Sequence, residues 1–254
     1  MAETSTPRTR RRRVLLAEGA VALAVVAAVV AGVLLRVSND PPRKAVAVAP
    51  LVERTTPTPE PSPTSTPPPV VRVPHDDVAA AVPYRFTLAG KGFTITAHVC
   101  AMAAVFPLDP PGEQHHTVCW VTKGFGFRPG SDSRTSYVLG HAWAPDPLEV
   151  LNKASARGTR DVLRTKARKL DGVPVFPAKS LLGSHITLRT PNGVLGYTVR
   201  NAFGVDKYRL GDIASIMDPN VRHRVVLITC AELNGVDYHY NIVLDARLTS
   251  SRKT

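Results

Sequence analysis

The chain has 254 residues, a net charge of +12 and 23 prolines, 11 of them crowded into residues 36–75. This excludes a single globular domain running from end to end, because proline-dense sequence cannot build a packed core. No glycine-rich nucleotide loop is present, so no organic cofactor is expected and any chemistry must come from side chains.

In chain order, residues 1–13 form a basic tail ending in the block Arg10 to Arg13. Residues 14–35 are almost entirely Ala, Val, Leu and Gly, with Glu18 near the basic end. About 20 apolar residues cross a bilayer core, so this run predicts one transmembrane helix and exceeds a cleavable signal's apolar region of about 7–15 residues. Five arginines precede it and only Arg36, Arg43 and Lys44 follow closely. The positive-inside rule therefore predicts a single-pass cell-membrane protein with a cytoplasmic N-terminus and everything after the span extracellular. Residues 36–75 include the run from Thr56 to Pro69, in which prolines alternate with Thr, Ser and Glu; they predict a semi-extended extracellular linker.

Residues 76–254 are enough for one domain with a substantial core. Short apolar runs separated by turn signals predict strands at Tyr84–Leu88, Phe93–Val99, Thr117–Val121, Tyr137–Leu139, His185–Leu188, Leu195–Val199, Val225–Thr229 and Asn241–Leu244. Pro191-Asn192-Gly193 marks a hairpin between two of them. The fold class is mainly β, a barrel or closed sandwich with few helices. Leu148 to Leu170 is the exception, with helical spacing and cations at Lys153, Arg157, Arg160, Arg164, Lys166, Arg168 and Lys169. It reads as a solvated basic segment, or as a face for anionic wall polymers or lipid headgroups. Nucleic acid is not an expected partner outside the membrane.

Three cysteines in an extracellular domain leave one outside any intrachain disulfide. Cys100 and Cys119 both lie in strand-like runs and are the candidate pair, which leaves Cys230 at the end of Val-Val-Leu-Ile-Thr-Cys. Of eight histidines, His141 ends the apolar run Tyr-Val-Leu-Gly and is followed by Ala-Trp-Ala-Pro, a strand-rim position. The pair reads as a cysteine nucleophile and its histidine. His115-His116 lacks further close ligands in the sequence, and no metal site is expected.

These residues resemble those of the sortases, membrane-anchored cysteine transpeptidases, and look most like the class E/F group of actinobacteria. Leu-Ile-Thr-Cys at 227–230 is similar to the family's nucleophile segment and Val-Leu-Gly-His at 138–141 to its histidine segment, with the likeness covering about residues 82–248. The resemblance implies a sortase-like eight-stranded β-barrel with short helices, in which Cys230 attacks a Leu-Pro-x-Thr-Gly-like sorting signal on a surface protein. A thioacyl intermediate would then pass to a cell-wall precursor or pilin amine, with His141 as the acid and base. The family also carries an arginine early in its closing strand, and here Asp237-Tyr238-His239-Tyr240-Asn241 has none. On period-two alternation His239 and Asn241 share a face and are the candidates for positioning substrate and oxyanion; Arg222, Arg224 and Arg247 are further arginines without an assigned place. The family's occasional calcium dependence is the only metal the resemblance brings. The missing arginine leaves a second reading, a catalytically impaired surface domain acting as a binding module. An L,D-transpeptidase fits less well, since Ile-Thr-Cys does not match its nucleophile context.

Overall fold

The computed structural model describes residues 75–104, 110–112, 114–122 and 125–254. The expected tail, membrane span and, apart from His75, the linker lie outside these residues. No helix among the described residues is long and apolar enough to cross a membrane.

The strands are β1 (Arg85–Gly90), β2 (Phe93–Met102), β3 (Thr117–Val121), β4 (Ser136–Leu139), β5 (Arg168–Leu170), β6 (Val173–Pro177), β7 (His185–Thr190), β8 (Gly193–Asp206), β9 (Arg224–Leu233) and β10 (Val236–Lys253). Helix α1 spans Asn152–Val162 and the single-turn α2 spans Ala214–Met217. Hydrogen bonding runs in the order β10, β9, β4, β3, β2, β1, β7, β8, and β8 pairs back with β10. Eight strands therefore close into a barrel, which removes the exposed edges an open sheet would present. The β5–β6 hairpin hangs on the far half of β8, where β7 has ended.

Two apolar layers follow from the alternation of side chains. Phe86, Leu88, Ile95, Val118, Val138, Ile186, Leu195, Leu227 and Ile242 belong to one cluster fed by every barrel strand, which is the barrel interior. Leu139, Val205, Ile228 and Val243, from alternate positions, pack outside it beneath Val173, Val175, Leu210, Ile213 and Ile216. Strands β4 and β9 are thus covered on both faces, which explains their continuous apolar sequence.

The basic segment divides differently from its sequence reading. Only Asn152–Val162 is helical, packed through Gly158, where an added Cβ would lie 2.9 Å from both Ile242 and Leu181. Arg168–Leu170 instead becomes a strand, because Asp171 and Gly172 take positive φ (49° and 81°) and turn the chain back with Leu170 opposite Val173. A two-residue turn with both φ values positive is the connection that matches strand twist. Lys153, Arg160, Arg164, Lys166, Arg168 and Lys169 are exposed, while Arg157 lies over the Phe93 ring.

At the start of β9, Arg224 is almost fully buried. Its guanidinium donates to Thr135 Oγ1 (2.9 Å) and to the carbonyls of Ser215 (2.6 Å), Ile216 (3.1 Å) and Asp218. Tyr137 donates to the same Ile216 carbonyl (2.9 Å), and burial pushes its phenol up to about 12. Arg224 holds the α2 turn onto the barrel, far along β9 from Cys230.

Arg224→Met should lower the unfolding free energy by about 3 kcal/mol or more, since it strands several buried carbonyls at once; urea unfolding checks this. Asp245, buried with Oδ1 unbonded among the described residues, has its carboxyl raised above the usual range by burial, against the attraction of Arg247 and Arg224. The folded state then holds a proton the unfolded state has released, so stability falls as pH rises from near 4 through the folded value. Asp245→Asn should therefore raise the melting temperature at pH 7, with a gain that shrinks toward pH 4.

Candidate active site

Strands β4 and β9 run parallel, with Ser136 opposite Val225 through Leu139 opposite Ile228, every pair 89 residues apart. Gly140 N–H then donates to Ile228 O (3.3 Å). Just beyond this pairing come His141 on one segment and Cys230 on the other, and both line the same cavity. Gly140 is required by packing: an added Cβ would stand 2.7 Å from Leu151 and 3.0 Å from Val118.

Past Gly140 the chain leaves the ladder, and α1 takes over. In a parallel ladder the carbonyls of Ile228 and Cys230 and the N–H of Glu232 all point toward β4. Ser155, fully buried on α1, donates its hydroxyl to Cys230 O (2.7 Å) and accepts the Glu232 N–H (2.8 Å). One side chain so completes the backbone hydrogen bonding of Cys230 and Glu232, on either side of Ala231. Leu151 N–H donates to His141 O (3.0 Å) and fixes the other residue to the same helix entrance.

On its other edge Cys230 faces β10, where Asn241 is its direct partner. The Cys230 backbone groups point toward β4, so this is a non-hydrogen-bonded pair, whose Cα atoms lie about 4.5 Å apart with side chains on one face. Between Tyr238 and Asn241 the register shifts. The shift skips two residues, so alternation persists: Tyr238, Tyr240 and Ile242 all pack with the barrel-interior cluster, and His239 and Asn241 share the outer face as expected. His239 is 60% exposed, with Nε2 3.6 Å from Asp206 Oδ2 and its ring 5.1 Å from Tyr208.

A cavity of about 490 Å³ is lined by Pro110, His141, Trp143, Lys207, Cys230 and Asp237, with Glu149 also in its wall. His141 Nε2 lies 2.9 Å from Pro110 O; a carbonyl only accepts, so Nε2 carries the proton in this contact. Asp237 Oδ1 accepts the Ala144 N–H (3.0 Å), tying the β9–β10 hairpin to the segment after His141. A half-buried thiol, an imidazole and an ammonium thus share one open cavity, which is the equipment for acyl transfer through a thioester.

Cys100 and Cys119 are direct partners on the parallel strands β2 and β3, with Cα atoms 4.4 Å apart, and form a disulfide. Of the other arginines, Arg222 pairs with Asp132 (2.6 Å) on the surface. Arg247 stands opposite Arg224, at the end of the barrel away from Cys230. His115, which lacks further close ligands in the sequence, meets two in the fold: its Nε2 lies 2.6 Å from Asp146 Oδ2, and Glu149 is beside both. Ser155, Lys207, Asp237 and Glu149 escaped the sequence reading because each meets the site through the fold and not through a motif.

No family model matches the chain, and no curated protein matches its sequence. Among solved structures it is similar to sortase A of Listeria monocytogenes, at 15% identity and TM-score 0.42, over 69% of this chain and 92% of that one. It is also similar to a lid mutant of sortase A from Corynebacterium diphtheriae, at 12% identity and TM-score 0.41, over 66% of this chain and 71% of that one. A mutant of sortase E from Streptomyces avermitilis gives 13% identity and TM-score 0.40, over 69% of this chain and 93% of that one.

Ser155→Ala leaves a buried carbonyl and a buried N–H without their partner. It should cost about 1–3 kcal/mol in stability and slow the reaction of Cys230 with iodoacetamide, while Ser155→Thr should restore much of both. Denaturant unfolding and timed alkylation read the two effects separately.

Proposed function

We propose that this chain is a sortase-type cysteine transpeptidase. The observation that carries the reading is the parallel register of β4 and β9, which delivers His141 and Cys230 to one cavity. The motif resemblance around both residues supports it, as does the closed eight-stranded barrel.

In the proposed reaction the Cys230 thiolate attacks the threonine carbonyl of a Leu-Pro-x-Thr-Gly-like signal. The tetrahedral oxyanion collapses, the C–N bond breaks, and His141 protonates the leaving amine. The acyl group then rests on Cys230 as a thioester until a wall-precursor or pilin amine, deprotonated by His141, displaces the thiol. Asn241, directly opposite Cys230, is the better placed of the two polar candidates to donate a hydrogen bond to the oxyanion, because His239 lies two residues further along the strand, near Asp206. Lys207, two residues beyond Val205, the β8 partner of Asn241, contributes the fixed positive charge. In this reading the protein is anchored by residues 14–35 with its catalytic domain outside the cell, as a class E/F type enzyme serving surface proteins.

The lack of an arginine opposite Cys230 is what favours the second reading, a binding module. Mass spectrometry of the full-length protein with a Leu-Pro-x-Thr-Gly peptide library and an amine separates the two. A thioacyl adduct on Cys230 and a transfer product are expected, both absent in Cys230→Ala, with transfer reduced about 10²–10⁴-fold in His141→Ala. A folded protein with a reactive thiol and no adduct from any peptide gives the binding module the lead. Lys207→Met should shift the alkylation profile of Cys230 to higher pH, because removing a nearby cation disfavours the thiolate; an unchanged profile would remove Lys207 from the site.

A further inference from the structure

Beside the cavity, two segments distant in sequence bring together an imidazole and two carboxylates. His115 precedes β3, and Asp146 and Glu149 lie in the turn between His141 and α1. One donor atom from each, the His115 nitrogen and one carboxylate oxygen apiece, lies within 4.8 Å of the others. Around a tetrahedral ion with bonds of about 2 Å, ligand atoms stand about 3.3 Å apart, a contraction small enough for side-chain rotation to supply.

The chemistry of the corner is acceptor-rich. Glu149 is 5% exposed, and its Oε2 accepts the Gln114 N–H (3.0 Å), which holds the carboxylate in place. Asp146 Oδ1 accepts the Leu148 N–H (2.9 Å), leaving Oδ2 for His115. Gln114 Oε1, buried in the same stretch, has no hydrogen-bond partner among the described residues. The buried Glu149 carboxylate calls for compensating positive charge. The backbone is tied around the cluster as well: Val150 N–H donates to Gln114 O (2.9 Å), and Asn152 Nδ2 to Asp146 O (2.6 Å).

We infer that His115, Asp146 and Glu149 bind a divalent transition-metal cation of the Zn²⁺ type. One nitrogen and two carboxylate oxygens are a three-ligand set suited to such an ion, with a further position open to water, whereas Ca²⁺ prefers six or more oxygens. The ion replaces the hydrogen bond between His115 and Asp146 and cross-links the segment before β3 to the one that follows His141. Because Glu149 also lines the cavity, the metal stiffens one wall of the candidate active site without contacting Cys230.

The test uses full-length protein carrying Cys230→Ala, so that the thiol cannot supply the metal site. Titration with Zn²⁺ should give one site and raise the melting temperature, and Co²⁺ should give visible absorption from a low-symmetry N/O environment. His115→Ala and Asp146→Asn, each added to Cys230→Ala, should weaken binding about tenfold or more. Both residues are partly exposed, so metal-free melting curves close to the parent's are the folding control, and His115→Gln and Asp146→Ser are the second pair of variants if they differ. Undiminished Zn²⁺ binding in the double variants, or none in the parent, overturns the proposal. So does stabilisation by Ca²⁺ that ignores His115.

Discussion

The parallel pairing of β4 with β9 is the constraint on which the site depends. Side-by-side parallel strands end at the same rim, whereas antiparallel neighbours would carry their last residues to opposite ends. Leu139 opposite Ile228 is the last full pair, and the next residues to leave the ladder are Gly140 and His141 on one strand and Thr229 and Cys230 on the other. Everything nearby acts to preserve that ending. Gly140 lets Leu151 approach, Leu151 holds the His141 carbonyl, and Ser155 occupies the backbone groups of β9 that β4 no longer reaches.

Strand β9 is held differently at its two ends. At Arg224 a buried guanidinium gathers the carbonyls of the α2 turn, so that end is fixed by charge-assisted bonds to backbone oxygens. Between the ends, β10 pairs with both β8 and β9, and closure leaves β9 no freedom to slip in register. The end that carries Cys230 is therefore the one where the ladder is interrupted, with a bulge on β10 and a helix hydroxyl on the other side. Reactive positions sit where backbone regularity is given up, and the rest of the strand supplies the rigidity.

Much of this was legible in the apolar runs. The runs in β3, β4 and β9 coincide with strands because apolar, β-branched sequence fits a sheet buried on both faces, and the run in β7 because its alternation fits a sheet buried on one. Pro191-Asn192 makes the expected β7–β8 turn, with Thr190 opposite Gly193. The β5–β6 hairpin was missed although Asp171-Gly172 is a strong turn signal, because the surrounding cations suggested a helix. The β10 bulge could not be read from the sequence, yet it skips two residues, so the alternation that puts His239 and Asn241 on one face survives it. Ser155 lies 75 residues from its Cys230 partner and Asp146 31 residues from His115, distances at which spacing carries no information.

In the proposed reaction, the position opposite Cys230 divides one function between strands. An arginine combines directional N–H donors with a permanent charge in a single planar group. In the proposed reaction those properties are separated: Asn241 offers donors at short range from β10, and Lys207 offers charge from the end of β8, one strand further. The amide is neutral, so it can sit against the half-buried Cys230 without a large desolvation penalty. The ammonium stands in an open cavity, where water and salt reach it and screening acts over about 8 Å at physiological ionic strength. A divided arrangement therefore makes oxyanion binding depend on local geometry and thiolate stabilisation depend on salt. In the undivided guanidinium the two respond together.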